Sequence, residues 1–263
     1  ASAQTRYLGE GLFESAMDKY VQGLYEEAAP MYERFLQIAP NDFQGHYFLA
    51  RCCAILGDTL KAKDYFERSI RILPENYDAR FQYGKLLLAG GDDTGALAQF
   101  ERARKEIPDL GSAVVQIGNV YRFRKDFRKA MEEYRRAMKI EPGLAEPYAA
   151  AGALFRDQGD TAGAVRSFRE GLRKTPGDPV CLYELGITLR ASGDRNEAET
   201  CFRKAVESRP RYSEALTALG DILNELGDRE GAARLWTRAI EADRRYTPAR
   251  ERMSSISSRE KRE

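Results

Sequence analysis

His46 is the only histidine in this chain of 263 residues, so no chemistry that needs a second imidazole is available to it. A triad built on it would require a nucleophile and an orienting acid that no motif supplies. Cysteine is scarce as well: Cys52, Cys53, Cys181 and Cys201 stand in no CxxC and in no Cys/His spacing of a metal site. Neighbours such as Cys52 and Cys53 rarely bridge each other, and four reduced thiols are the plain reading. Long apolar runs are missing, which excludes a membrane-spanning helix. There is no GxxxxGK(S/T) and no GxGxxG behind a strand, so a phosphate cradle is not expected. Excess charge is missing too: the net value is +1, and non-specific affinity for nucleic acid or a membrane surface is not the default. Carboxylates are plentiful but have no cavity to raise a pKa. The expectation is a chain with no catalytic residue, no metal and no cofactor.

What the sequence does have is a phrase that returns. "GDTAGAVRSF" at 159–168 comes back as "GDRNEAETCF" at 193–202 and as "GDREGAARLW" at 227–236, 34 residues apart each time. Stepping by that period gives seven blocks without insertion or deletion: 9–42, 43–76, 77–110, 111–144, 145–178, 179–212 and 213–246. Residues 1–8 are a lead-in. The twentieth place is always Ala (28, 62, 96, 130, 164, 198, 232), and four residues later stand Tyr32, Phe66, Phe100, Tyr134, Phe168, Phe202 and Trp236. The eighth place is always small: Ala16, Ala50, Gly84, Gly118, Gly152, Gly186, Gly220. The fifteenth is Gly except at Lys125, and the thirty-second is Pro, from Pro40 to Pro210, except at Arg244.

Each place has a physical task. Small residues at eight and twenty let two helices cross closely. An aromatic one turn beyond the Ala shares its face and fills the space between units. Gly at fifteen ends a first helix in a left-handed cap, and the Asp after it accepts the free amides of a second helix. Pro at thirty-two cannot continue that helix. Lys125 is predicted to strain or loosen its turn. After 246, Pro248 suits a helix start, Met253 the apolar seventh place and Ser254 the small eighth, so 247–263 reads as a polar capping helix and tail.

This pattern resembles the tetratricopeptide repeat family over residues 9–246, although place four lacks the family's usual Trp. The resemblance implies an all-α, right-handed solenoid of seven stacked helix–turn–helix repeats with a C-terminal capping helix. It also implies a concave groove, lined by first helices, that holds a partner's segment at places two, five, nine, twelve and thirteen. Those places supply Phe13, Tyr47, Phe81 and Tyr183 at five, with Val115, Ala149 and Thr217 in the other blocks. They supply Arg51, Lys85 and Asn119 at nine, Arg122, Arg156 and Arg190 at twelve, and Glu214, Asp221, Asn224 and Glu225 in the last block. Two roles are open for the aromatics, edge of the core or contact with a partner, and place five should be half exposed. For the arginines the alternatives are pairing with nearby carboxylates such as Asp157 or a bidentate fork offered to an acidic partner. The clamp for chaperone tails needs Lys at five beside Asn at nine, but Asn119 has Val115, and the Asn ladder of sugar-transferring relatives is missing. His46, at place four, reads as a packing residue.

The even total hides an uneven spread: the first block has two basic and seven acidic residues, the fourth eight basic and four acidic. The functional expectation is a non-enzymatic scaffold or adaptor that takes a protein or peptide partner with an acidic stretch. The alternative is a structural or regulatory repeat domain of a longer protein or assembly, including an enzyme, whose activity lies elsewhere. Single-stranded nucleic acid is a third class, disfavoured by the net charge and the acidic end blocks. Oligomeric state is open. Reduced thiols lean towards the cytoplasm. The first residue is Ala rather than Met, so a processed chain is expected, and the periplasm or an envelope complex stays open if a signal was removed.

Overall fold

The computed structural model describes residues 3–243 and 245–260, and among them it contains fifteen α-helices and no strand. They are α1 (Ala3–Val21), α2 (Tyr25–Ile38), α3 (Phe43–Ile55), α4 (Thr59–Ile72), α5 (Tyr77–Ala89), α6 (Asp93–Glu106), α7 (Gly111–Phe123), α8 (Phe127–Ile140), α9 (Glu146–Asp157), α10 (Thr161–Lys174), α11 (Pro179–Ala191), α12 (Arg195–Ser208), α13 (Ser213–Glu225), α14 (Arg229–Ala242) and α15 (Thr247–Glu260). Second helices start in steps of 34, at Thr59, Asp93, Phe127, Thr161, Arg195 and Arg229. Each described second helix that precedes a proline stops two residues before it, because proline disfavours helical backbone in the residue ahead of it. Arg244, residues 1 and 2 of the lead-in and residues 261–263 of the tail lie outside the described residues.

The helices divide into two compact units, Ala1–Asp126 and Phe127–Glu263. The fourth block is shared between them, with α7 in unit 1 and α8 in unit 2. In unit 1, α1 packs on α2, α3 on α4 and α5 on α6, and each second helix also packs on the next first helix. Unit 2 repeats this with α9 on α10, α11 on α12 and α13 on α14, while α15 closes against α14 and α13.

The alanines at place twenty are all fully buried, and the seven aromatics one turn later are at most 2% exposed. Where the eighth place is Gly within one unit, the aromatic lies across it, as Phe100, Phe168, Phe202 and Trp236 do over Gly84, Gly152, Gly186 and Gly220. A Cβ added at Gly84 would come 2.7 Å from the Phe100 ring, and one at Gly186 2.6 Å from Phe202. A second column of small residues stands at place twenty-seven, where Ser69, Ala103, Ala137, Ala205 and Ala239 are fully buried. Gly171 belongs to the same column, and a Cβ there would meet the Cys181 sulfur of the following pair at 2.7 Å.

Turns follow one pattern. Gly57 takes φ 82° and Gly193 φ 93°, and Lys125 enters the same left-handed region at φ 60°, the one non-glycine to do so among the described residues. Its amide donates to the Arg122 carbonyl at 2.9 Å, and that of Asp126 to Tyr121 at 2.9 Å, as in the glycine turns. The Asp after the turn accepts from the third helical amide, as with Asp92 and Gly95 at 2.9 Å or Asp160 and Gly163 at 2.8 Å. First helices are capped likewise by Asp42, Asn76 and Asp178.

At place four, His46 is buried and its Nε2 donates to the Pro40 carbonyl at 2.9 Å. One block on, the buried Arg80 donates Nε to the Pro74 carbonyl at 2.8 Å. Both fill place four of their blocks and satisfy an orphan carbonyl behind the preceding helix.

Candidate functional site

In unit 1 the first helices carry Phe13, Tyr47, Arg51, Phe81, Lys85, Asn119 and Arg122. Phe13 is half-buried and packs edge-on against Tyr32, Phe35 and Phe48, with ring centroids 5.7, 5.1 and 6.1 Å away. Tyr47 meets Phe48 at 5.0 Å, and Phe81 meets Phe100 at 5.8 Å. These rings therefore close the edge of the core while part of each stays open. Burial raises the Tyr47 phenol pKa, an effect that Arg51 opposes.

Arg51 lies over two rings, its guanidinium carbon 5.1 Å from the Tyr20 centroid and 5.6 Å from that of Tyr47, and Nη1 donates to the Tyr47 hydroxyl at 3.3 Å. Lys85 is exposed, with Nζ 5.9 Å from the Phe81 centroid. Among the described residues neither cation has a carboxylate within ion-pair distance. Both line a cleft of about 230 Å³ between α3 and α5, together with Ala54, Ile55, Gln82 and Leu86, over the buried ring of Phe66. Asn119 donates its amide to Gln116 at 3.2 Å, and Arg122, half-buried on α7, is itself engaged.

In unit 2, Tyr183 is half-buried between Phe202 and Tyr212, at 5.9 and 5.3 Å, and burial pushes its phenol up to about 12. Arg156 donates Nη1 to Glu184 at 2.5 Å. Arg190 donates Nη2 to Glu225 at 2.8 Å and stands 3.7 Å from Asp221, which also accepts Arg252 at 2.6 and 3.0 Å. These arginines are thus bound to carboxylates of the following first helix, not to Asp157 on their own, and they tie neighbouring repeats together. Place five is also less open than its aromatics suggest: Val115, Ala149 and Thr217 are buried.

Two features are invisible at any single repeat place. The acid partners sit at places six, nine and thirteen of the next block, a signal visible only when columns are compared across blocks. The cleft walls combine Ala54 and Ile55 at the groove-facing places twelve and thirteen with Gln82 and Leu86 at places six and ten, which lie outside that set.

Among the described residues no cluster of His, Cys, Asp or Glu could hold a metal, and no helix is long and apolar enough to cross a membrane. The four thiols are unpaired and buried, and burial pushes Cys53 and Cys201 up to about 11 and Cys52 to about 12, so the nucleophilic thiolate is suppressed.

Sequence models described as tetratricopeptide repeat match residues 13–75 and 183–248, 54–117, and 112–143. No curated protein matches. Among solved structures the chain is similar to a tetratricopeptide repeat protein from Parabacteroides merdae, at 15% identity, covering 95% of this chain and 97% of that one with a TM-score of 0.68. It is similar to yeast Tom70 at 16% identity with a TM-score of 0.78, covering 97% of this chain and 54% of that one. A thermophilic repeat protein from Thermus thermophilus is 20% identical with a TM-score of 0.57, covering 68% of this chain and 97% of that one. At these identities the likeness is one of fold. The fifth block lies outside the matched segments, yet α9 and α10 form the same pair, with Gly152 under the Phe168 ring.

Proposed function

We propose that this chain, which belongs to the tetratricopeptide repeat family, is a non-enzymatic scaffold that holds an acidic segment of a protein partner on the first-helix face of unit 1. The observation that carries the reading is the cleft between α3 and α5, where Arg51 and Lys85 flank an apolar floor and neither meets a carboxylate among the described residues. An acidic side chain there would gain two cations already pre-set on aromatic faces, beside room for an apolar neighbour. Phe13, Tyr47 and Phe81 extend the same face as an aromatic edge. Arg156 and Arg190 are poorer candidates, because a partner's acid would have to displace Glu184, Glu225 or Asp221 first. Asn119 and Arg122 belong to the proposed first-helix face of unit 1 with secondary weight, and Tyr183 to the first-helix face of unit 2.

The test is capture of partners from an extract of the source by the native chain, by Arg51→Glu/Lys85→Glu, and by Arg156→Glu/Arg190→Glu. Circular dichroism first establishes equal helicity. The expected result is a partner retained by the native chain and lost only from the first variant. Retention by both variants would place recognition off these cations. Loss only from the second would move the site into unit 2.

A further inference from the structure

A second groove lies wholly within unit 2, on the side of the second helices, and shares no residue with the proposed unit 1 site. It measures about 290 Å³ and is walled by Met131 and Met138 of α8 and by Gly163 and Ser167 of α10, with Tyr148, Ala151 and Phe155 of α9 as its base. Met131, Met138, Tyr148 and Phe155 are each only half-buried, so four large apolar side chains share one open furrow. Phe155 packs one side against the core and Tyr148 lies beside Gly171, yet each leaves a face open to the furrow, because the core itself is filled by Tyr134 and Phe168, both fully buried.

The rim carries two cations without acid partners among the described residues. Arg135 of α8 and Arg166 of α10 border the groove, both are exposed, and neither has an acid partner among the described residues. Glu170 also reaches the rim but is held by Arg173, whose Nε donates to it at 3.0 Å. The whole of α8 leans the same way, with Arg128, Lys129, Arg135, Arg136 and Lys139 against Glu132 and Glu133.

We propose that this furrow docks a short acidic amphipathic helix of a partner protein, inserting apolar side chains between α8 and α10 while its carboxylates meet Arg135 and Arg166. Size argues for side chains over a whole small molecule, since the volume falls at the bottom of the roughly 300–1,000 Å³ typical of ligand cavities. Methionine walls suit such a guest, because the flexible thioether adapts to different apolar shapes. Apolar anchors one helical turn apart, flanked by acids, match a furrow between two helices. This site is independent of the cleft in unit 1.

The probe is a fluorescein-labelled helical peptide of Glu, Ala and Leu, of about 15 residues so that the helix can form, with Leu at every third and fourth position. A second peptide replaces every Glu with Lys. Fluorescence anisotropy is read against the native chain, Arg135→Glu/Arg166→Glu and a control, Lys204→Glu/Arg238→Glu, on second helices outside both proposed sites. Both substituted pairs are exposed, and circular dichroism verifies helicity. Expected is binding of the acidic peptide to the native chain, weakened about tenfold or more by the Arg135/Arg166 exchange, unchanged by the Lys204/Arg238 exchange, and a gain of the Lys peptide by the former variant. No binding of the acidic peptide, equal binding of both peptides, undiminished affinity in Arg135→Glu/Arg166→Glu, or equal loss in both variants overturns the assignment.

Discussion

At the scale of single residues, the repeat is a set of close fits with one exception. Lys125 holds a left-handed φ of 60° where other blocks place glycine. An L-residue there pays roughly 1–2 kcal/mol in steric strain, and glycine returns part of it as chain entropy in the unfolded state. Lys125→Gly is therefore expected to raise stability by about 1 kcal/mol, read as a higher midpoint in guanidinium denaturation. An unchanged midpoint would show that the lysine side chain repays its own strain. The small places are the opposite case. In isolation, Gly186→Ala gains about 1 kcal/mol of helix propensity, but its methyl would stand 2.6 Å from the Phe202 ring, which is fully buried. Ala16 and Ala50 occupy the same place in the first two blocks, so the ring can be seated to admit a methyl. The net expectation is a loss of about 1 kcal/mol, relieved when Phe202→Leu is added in the same chain. A stabilised single mutant would mean that the ring shifts freely.

At the scale of elements, each helix needs an end and a partner, and among the described residues α15 leans on α14 and α13. α15 buries Ala249 but leaves Ser254, at the small place, exposed. It is pinned by Arg252, whose guanidinium grips Asp221 at 2.6 and 3.0 Å, while Asp221 also faces Arg190. Arg252→Ala should cost about 1 kcal/mol, the upper range for a partly exposed ion pair, and should speed amide hydrogen exchange in α15 while leaving α11 and α12 unchanged. Equal protection in α15 would show that Ala249 and Met253 hold the helix alone. These helices were legible in the sequence because their signals are local: Gly and Asp at a turn, Pro after an end, Ala with an aromatic one turn on. The ion pairs were not. Arg190 and Glu225 are 35 residues apart, and only the stacking of α11 beside α13 brings a place-twelve arginine to a place-thirteen acid. Arg51 and Lys85 were legible as cations of the first-helix face, but their lack of acid partners could be known only from the fold. The furrow of Met131, Met138 and Phe155 was not legible, since it lies between second helices whose exposed sides carry no periodic signal.

At the scale of the whole molecule, burial has been extended to many groups that ionise at high pH, and this sets a direction for stability. The four thiols and a row of tyrosines are spread over both units. Desolvation raises Cys53 and Cys201 to about 11, Cys52, Tyr20 and Tyr183 to about 12, and Cys181 and Tyr212 further. The unfolded chain releases these protons earlier, its thiols at the ordinary value of about 8.5. An acid whose pKa is higher in the folded state favours folding fully below the unfolded value and loses that contribution as pH climbs towards the folded value. The sign is thus a fall in stability beginning near pH 8.5, steepening as tyrosines join near pH 10, and complete for each group only at its folded pKa. One pH unit inside that window costs about 1.4 kcal/mol per group, and for a chain of this size each kcal/mol is worth roughly 2–4 °C in Tm. Thermal melts by circular dichroism from pH 7 to 11 should show a Tm that drops increasingly above pH 8.5, while a thiol reagent at pH 8 labels the folded chain slowly and the guanidinium-unfolded chain at once. A flat Tm to pH 10.5 with rapid labelling of the folded chain would mean that the thiols are open to water, and with them the close crossing of first and second helices on which every repeat depends.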